Sequence, residues 1–319
     1  MEKNNSLALL RLRSTRAVIA DGYRLFTNTF RQLFRASWPV TVVYALSMAL
    51  MSSYAISRVI PLIGTNQILD PEAARVQLVS TMGTFLLTAL LFVVCATVLA
   101  SCGFSALREH AKDATPRVLH WYGRLDWPVL GRLAIVVVCM VVLLAIVGTA
   151  LAGLFTLAAK TGLTTAWVAV SIVAFSCCML LIPFCYTVYV AMLSEKKIAL
   201  PFAGYLTGIS HLGMLFITLL LTGIVTLLLT LIAQLPANIL YAANIQSQVG
   251  MLGGDEAGMP EGMFWLNFIV FALAGFIQAY VHLSTLFPFY YAYGTITFQK
   301  KSRDSWKNAA DTTQATAVV

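Results

Sequence analysis

The sequence predicts an all-α membrane protein with six transmembrane helices, and three observations lead there. The first is composition. Of 319 residues, 59% are hydrophobic and 11% charged, against roughly 25% charged in soluble domains. A chain with a mean hydropathy of +0.82 cannot hide its apolar side chains in one soluble core, so lipid is the solvent for much of it. The second is length. Six apolar stretches, near 38–62, 78–106, 129–158, 164–193, 212–241 and 264–298, are each long enough to cross about 30 Å of hydrocarbon as a helix. The third is charge. Alternate segments between these stretches hold 18 of the 21 Lys and Arg residues, and the other side holds three. The positive-inside rule then puts both termini in the cytoplasm.

This divides the chain into a basic cytoplasmic segment over 1–37, a membrane domain over 38–298 and a polar, disordered cytoplasmic tail over 299–319. The first segment carries seven cations and no short apolar run ending in a small-residue cleavage site, so no cleavable signal peptide is expected. Ile19, Tyr23, Phe26, Phe30 and Leu33 recur at helical spacing along one face, while Arg24, Arg31 and Arg35 line another. Such a helix suits the headgroup layer, with the three arginines on anionic lipid; docking on the protein's own cytoplasmic loops is the competing reading. Trp38 and Pro39 mark the expected turn into span 1.

The design recurs. PRVLHWYGRLDWPVLGRL (116–133) precedes span 3 and ALPFAGYLTGISHLGML (199–215) precedes span 5. Tyr23, Tyr122 and Tyr205 stand at similar distances from the following span, which suggests amphipathic interfacial helices before spans 1, 3 and 5 and a threefold hairpin repeat. Between spans 5 and 6, residues 242–263 are Gly- and Met-rich with three acids and no EF-hand register. The last stretch exceeds one span, so its helix tilts or runs past the interface.

Chemistry is sparse. Phosphate-loop, nucleophile-elbow, zinc-helix and dinucleotide motifs are absent, and the six cysteines show no metal spacing and read as small packing residues. No cofactor, metal site or catalytic residue is expected. The net charge of +8 points to anionic lipid, not nucleic acid. His282 is the one histidine inside a span, and Gln278 lies one turn before it. This polar face is either an inter-helix hydrogen bond or a ligand contact or proton relay.

Two phrases resemble each other: PFCYTVYVAMLSEKK at 183–197 and PFYYAYGTITFQKK at 288–301. Pro183 and Pro288 are expected to kink spans 4 and 6. Tyr186, Tyr189, Tyr290, Tyr291 and Tyr293 then approach the cytoplasmic interface as an aromatic belt. Alternatively, the two kinks flank a cavity.

Pro183, Glu195, Ala199-Leu200 and Gly204-Tyr205-Leu206, followed by a new apolar span, form a pattern. It resembles that of bacterial six-helix inner-membrane proteins, including the membrane domain attached to some glycerophosphodiester phosphodiesterases. The resemblance implies the fold and a bacterial inner membrane. Hydrolysis does not carry over, because the metal-binding acids and histidines of the phosphodiesterase domain are not in this sequence. Three functions compete. The first is a non-enzymatic scaffold, regulator or lipid-organising protein with a possible protein partner. The second is a small-molecule or lipid transporter with a cavity near Pro183 and Pro288. The third is an intramembrane lipid enzyme.

Overall fold

A computed structural model describes residues 9–56, 71–112, 127–161, 164–193, 204–252 and 262–317. These form eight helices: α1 Thr15–Tyr54, α2 Pro71–Ala111, α3 Trp127–Thr161, α4 Thr164–Leu181, α5 Phe184–Leu193, α6 Tyr205–Ser210, α7 Leu212–Leu252 and α8 Met263–Ala317. There is no strand among the described residues. Six segments are long and apolar enough to cross a membrane, with α4 and α5 together making the fourth.

Helix α8 is the hub. It packs most extensively on α1, then on α7, and more lightly on α2 and α5. Two glycines allow this. A Cβ on Gly22 would lie 2.6 Å from the Pro288 backbone, so the α1 and α8 backbones meet there with no room for a side chain. On α8, a Cβ on Gly275 would fall 3.1 Å from Met48 Sδ of α1. Small residues at such crossings replace the hydrophobic drive that lipid removes. Helix α4, by contrast, packs mainly on α3.

Large apolar side chains exposed by half or more mark the lipid-facing belt. They run over Val79–Val94 on α2, Ile135–Leu157 on α3, Val168–Leu180 on α4, Leu227–Val249 on α7 and Phe264–Ile277 on α8. On α1 they begin at Trp38 and include Val43. The main core lies towards and beyond one edge of this belt. It gathers Val18, Leu25 and Leu33 of α1 with Phe104 and Leu107 of α2, Met192 of α5 and Phe287 and Ile296 of α8.

Three expectations need correction. The segment before span 1 is not a separate interfacial helix, since α1 runs 40 residues through Trp38 and Pro39 without a turn. At about 1.5 Å per residue that is ~60 Å, twice a hydrocarbon core. Buried residues on both sides of Pro39, Leu33, Ala36 and Ser37 before it and Thr41, Tyr44 and Ala45 after it, carry the helix across the proline. The 299–319 tail, expected to be disordered, continues α8 to Ala317. Of the other pre-span helices, only the six-residue α6 before span 5 is seen. Of the segment before span 3, residues 116–126, with Tyr122, lie outside the described residues, and 127–133 open α3 itself. The threefold repeat therefore does not extend to the pre-span helices that can be compared.

Candidate functional site

The two Pro-Phe-Tyr phrases come together. Pro183 ends α4, and the chain restarts as α5 at Phe184; Pro288 sits inside an uninterrupted α8. A proline lacks the N–H that would close the preceding turn, so neighbouring carbonyls need other donors. At the Pro183 break, the Tyr205 hydroxyl donates to the Leu180 carbonyl at 2.8 Å. Gly208 lies against the same proline, where a Cβ would come 2.9 Å from the Pro183 oxygen. Gly204, at φ 94°, makes the left-handed turn that starts α6. This gives Pro183 and Gly204-Tyr205 a shared structural role; Glu195, Ala199 and Leu200 lie outside the described residues.

The tyrosines do not form an outward-facing belt. Tyr186, Tyr189, Tyr290 and Tyr291 are buried, the last two completely, and Tyr293 is half-buried. The Tyr189 hydroxyl donates to the Leu286 carbonyl at 2.5 Å, and its ring stacks on Tyr293. Tyr290 meets His110 Nδ1 at 3.0 Å. Arg13 lies over the Tyr291 ring, 4.4 Å from its centroid, and its Nε donates to Asp21 at 2.9 Å. Tyr186 and Tyr189 meet Tyr293 between the helices that bear Pro183 and Pro288, and the Arg13–Asp21 pair at the start of α1 covers Tyr291.

A cavity of about 320 Å³ opens one to two turns before Pro288 on α8. Its walls include Tyr44 of α1, Phe92, Ala96 and Leu99 of α2, and His282 and Leu286 of α8. His282 is held by a relay. The Gln234 amide of α7 donates to the Gln278 side-chain oxygen. The Gln278 amide in turn donates to His282 Nε2 at 3.0 Å. In that arrangement Nε2 is the acceptor, so the proton of the neutral ring is on Nδ1. The polar face expected from Gln278 and His282 is thus an inter-helix hydrogen-bonded relay that ends at a cavity wall.

Gln234 and Tyr44 were missed from sequence. Gln234 had a readable signal, since Thr218, Thr222, Thr226, Thr230 and Gln234 recur every four residues along one face of α7. Tyr44 had none. Its neighbours are apolar and its importance comes from a ring contact with Phe92 across two helices, centroids 4.9 Å apart.

On α1, Arg24, Arg31 and Arg35 are exposed, and none of their guanidinium groups has a hydrogen bond or ion pair among the described residues. They share one face, which turns apolar at Trp38. Among the described residues, no three His, Cys, Asp or Glu side chains gather as metal ligands. Comparison with protein-family models, curated proteins and solved structures gave no match. What stands is a six-span, all-α integral membrane protein.

Proposed function

We propose that this chain is a non-catalytic membrane protein that organises anionic lipid along its basic end. The observation that carries this is the row of Arg24, Arg31 and Arg35, exposed and without ion pairs among the described residues, meeting the apolar belt at Trp38. Arg35 and Arg31 stand about 5 and 10 Å beyond Trp38 along α1 and reach lipid phosphates, to which each contributes about 1 kcal/mol, while Arg24, about 21 Å out, adds a weaker, screened attraction. The charge asymmetry of the loops and the resemblance at Pro183 and Gly204-Tyr205-Leu206 support placing this end in the cytoplasm of a bacterial inner membrane. A protein partner on the same face is compatible with lipid binding, and nucleic acid has no role in this reading.

The test is lipid selection in nanodiscs made with equal phosphatidylglycerol and phosphatidylcholine. Mass spectrometry of retained lipid should show phosphatidylglycerol enriched on the wild type. That enrichment should fall by about an order of magnitude or more in Arg24→Gln/Arg31→Gln/Arg35→Gln and weaken with salt. An identical lipid ratio for both proteins, with matching elution and melting profiles, would reject the proposal.

A further inference from the structure

The cavity beside His282 has a chemistry of its own, independent of the arginine face. Its volume of about 320 Å³ is at the lower end of the roughly 300–1,000 Å³ of small-molecule sites. It is about twice an apolar void known to hold benzene. Most of its wall is Phe, Leu and Ala, which suits hydrocarbon. Two polar groups interrupt that wall. Tyr44 is 3% exposed, yet its hydroxyl has no hydrogen bond among the described residues. The second group is His282, whose Nε2 is committed to Gln278, leaving an Nδ1–H to donate. The site therefore offers two donors and no charge, complementary to a carbonyl oxygen at the end of an apolar chain.

Depth agrees with this. On α1 the outer face changes from arginine to apolar between Arg35 and Trp38. Ser37 contacts the Tyr280 hydroxyl at 3.4 Å, which fixes the matching level on α8. His282 is two residues on, about 3 Å further towards the basic end. On α2 the half-exposed apolar residues stop at Val94, beside the cavity residues Phe92 and Ala96. The cavity thus starts near the boundary between headgroups and hydrocarbon, where acyl ester carbonyls lie, and runs inward to Tyr44.

We propose that this cavity seats one acyl chain of a membrane phospholipid, with its ester carbonyl accepting a hydrogen bond from His282 at the boundary and its chain running inward past Tyr44. The chain enters from the bilayer, and recognition lies in the carbonyl, not in the headgroup. The site is a lateral lipid-binding site between α1, α2 and α8.

The test uses photolabelling in phosphatidylcholine nanodiscs, whose neutral headgroup leaves the arginine face uninvolved. The probe is a phosphatidylcholine with a diazirine close to one acyl ester, and a diazirine hexadecane that lacks the carbonyl is the comparison. Labelling by the phospholipid should concentrate on peptides over 92–100 and 279–286. It should drop about tenfold in Ala96→Trp, which fills the cavity, and about fivefold or more in His282→Phe, which removes the donor at the boundary. Hexadecane labelling should fall in the first variant and persist in the second. Ala100→Leu replaces Ala96→Trp if the latter elutes as aggregate. Labelling spread evenly over the lipid-facing helices, or unchanged when the cavity is filled, overturns the site. Equal loss of both probes in the donor variant overturns carbonyl recognition.

Discussion

Single residues decide where the helices of this protein touch. Gly22 has no room for a methyl group, because the Pro288 backbone is 2.6 Å from where its Cβ would be. Gly22→Ala should therefore force α1 and α8 apart and cost about 1–3 kcal/mol, the usual range for overpacking. Gly83, also mid-helix, has nothing within 4 Å of where its Cβ would stand, so Gly83→Ala should stabilise by about 0.5–1 kcal/mol through helix propensity alone. Thermal melting in one detergent compares the two. Equal shifts in the same direction would show that the α1–α8 contact is not tight. The relay is the second residue-scale case. Gln234→Leu and Gln278→Leu each strand the other amide, whereas the double variant strands neither amide, and the loss at His282 Nε2, common to Gln278→Leu and the double variant, cancels in the cycle. A double-mutant cycle should return a coupling of about 0.5–2 kcal/mol, and additive losses would mean the two amides do not meet. These contacts also show what was legible in the sequence. Gln278 and His282 could be paired because one turn separates them on one helix. Gln234 could not be joined to them, since its contact spans 44 positions and depends on how two helices cross.

At the scale of the element, the prolines act differently despite their matching phrases. Pro183 ends a helix and Pro288 does not, and the difference lies in what surrounds them. Around Pro288, α1 lies close along α8, with Gly22 against the proline backbone, and the helix is uninterrupted. Around Pro183, α6 comes in from the side, with Gly208 against the ring and Tyr205 on the Leu180 carbonyl. Gly208→Ala should displace α6 from Pro183 and loosen the break. Tyr205→Phe should cost about 0.5–1.5 kcal/mol, the net value of one hydrogen bond. Both should lower the melting temperature, the alanine variant more, because it moves the backbone of α6 as well as removing a contact. If Tyr205→Phe melts first, the hydroxyl and not the close packing holds the break. The sequence signalled both prolines as kinks because it shows a missing donor equally in each. It could not show which of the two would interrupt its helix. The same limit explains α1: arginines on one face and aromatics on the other describe an interfacial helix and a docked one equally well. Burial of Val18, Leu25 and Leu33 against α8 decides for docking.

For the whole molecule, packing is unequal between its two ends, and that inequality should appear in its stability. The six spans were readable because lipid imposes length and apolarity on each one separately. Which spans hold one another is a property of contacts, and no composition encodes it. The contacts concentrate at the basic end, where Leu33, Leu107, Phe287, Tyr290 and Tyr291 are almost fully buried. Helix α4 is the opposite case, with Val168, Ile172 and Phe175 each about 60% exposed and α3 as its main neighbour. Sparse tertiary contacts give low local stability, because opening such a segment breaks little else. Lipid masks this difference by shielding backbone amides wherever it touches them, so the comparison belongs in a loosely packed detergent. There, peptides from 167–180 should exchange backbone hydrogen early, while peptides from 283–296 should stay protected at least about a hundredfold longer. Adding phospholipid should slow the first group far more than the second, since lipid is what packs the outer surface of α4. Uniform exchange across both segments would mean that the tyrosine-rich core at the basic end is no more stable than the periphery. Its role as the anchor for the arginine face of α1 and for the headgroup-side end of the lipid cavity, where Tyr189 bonds the Leu286 carbonyl, would then fall with it.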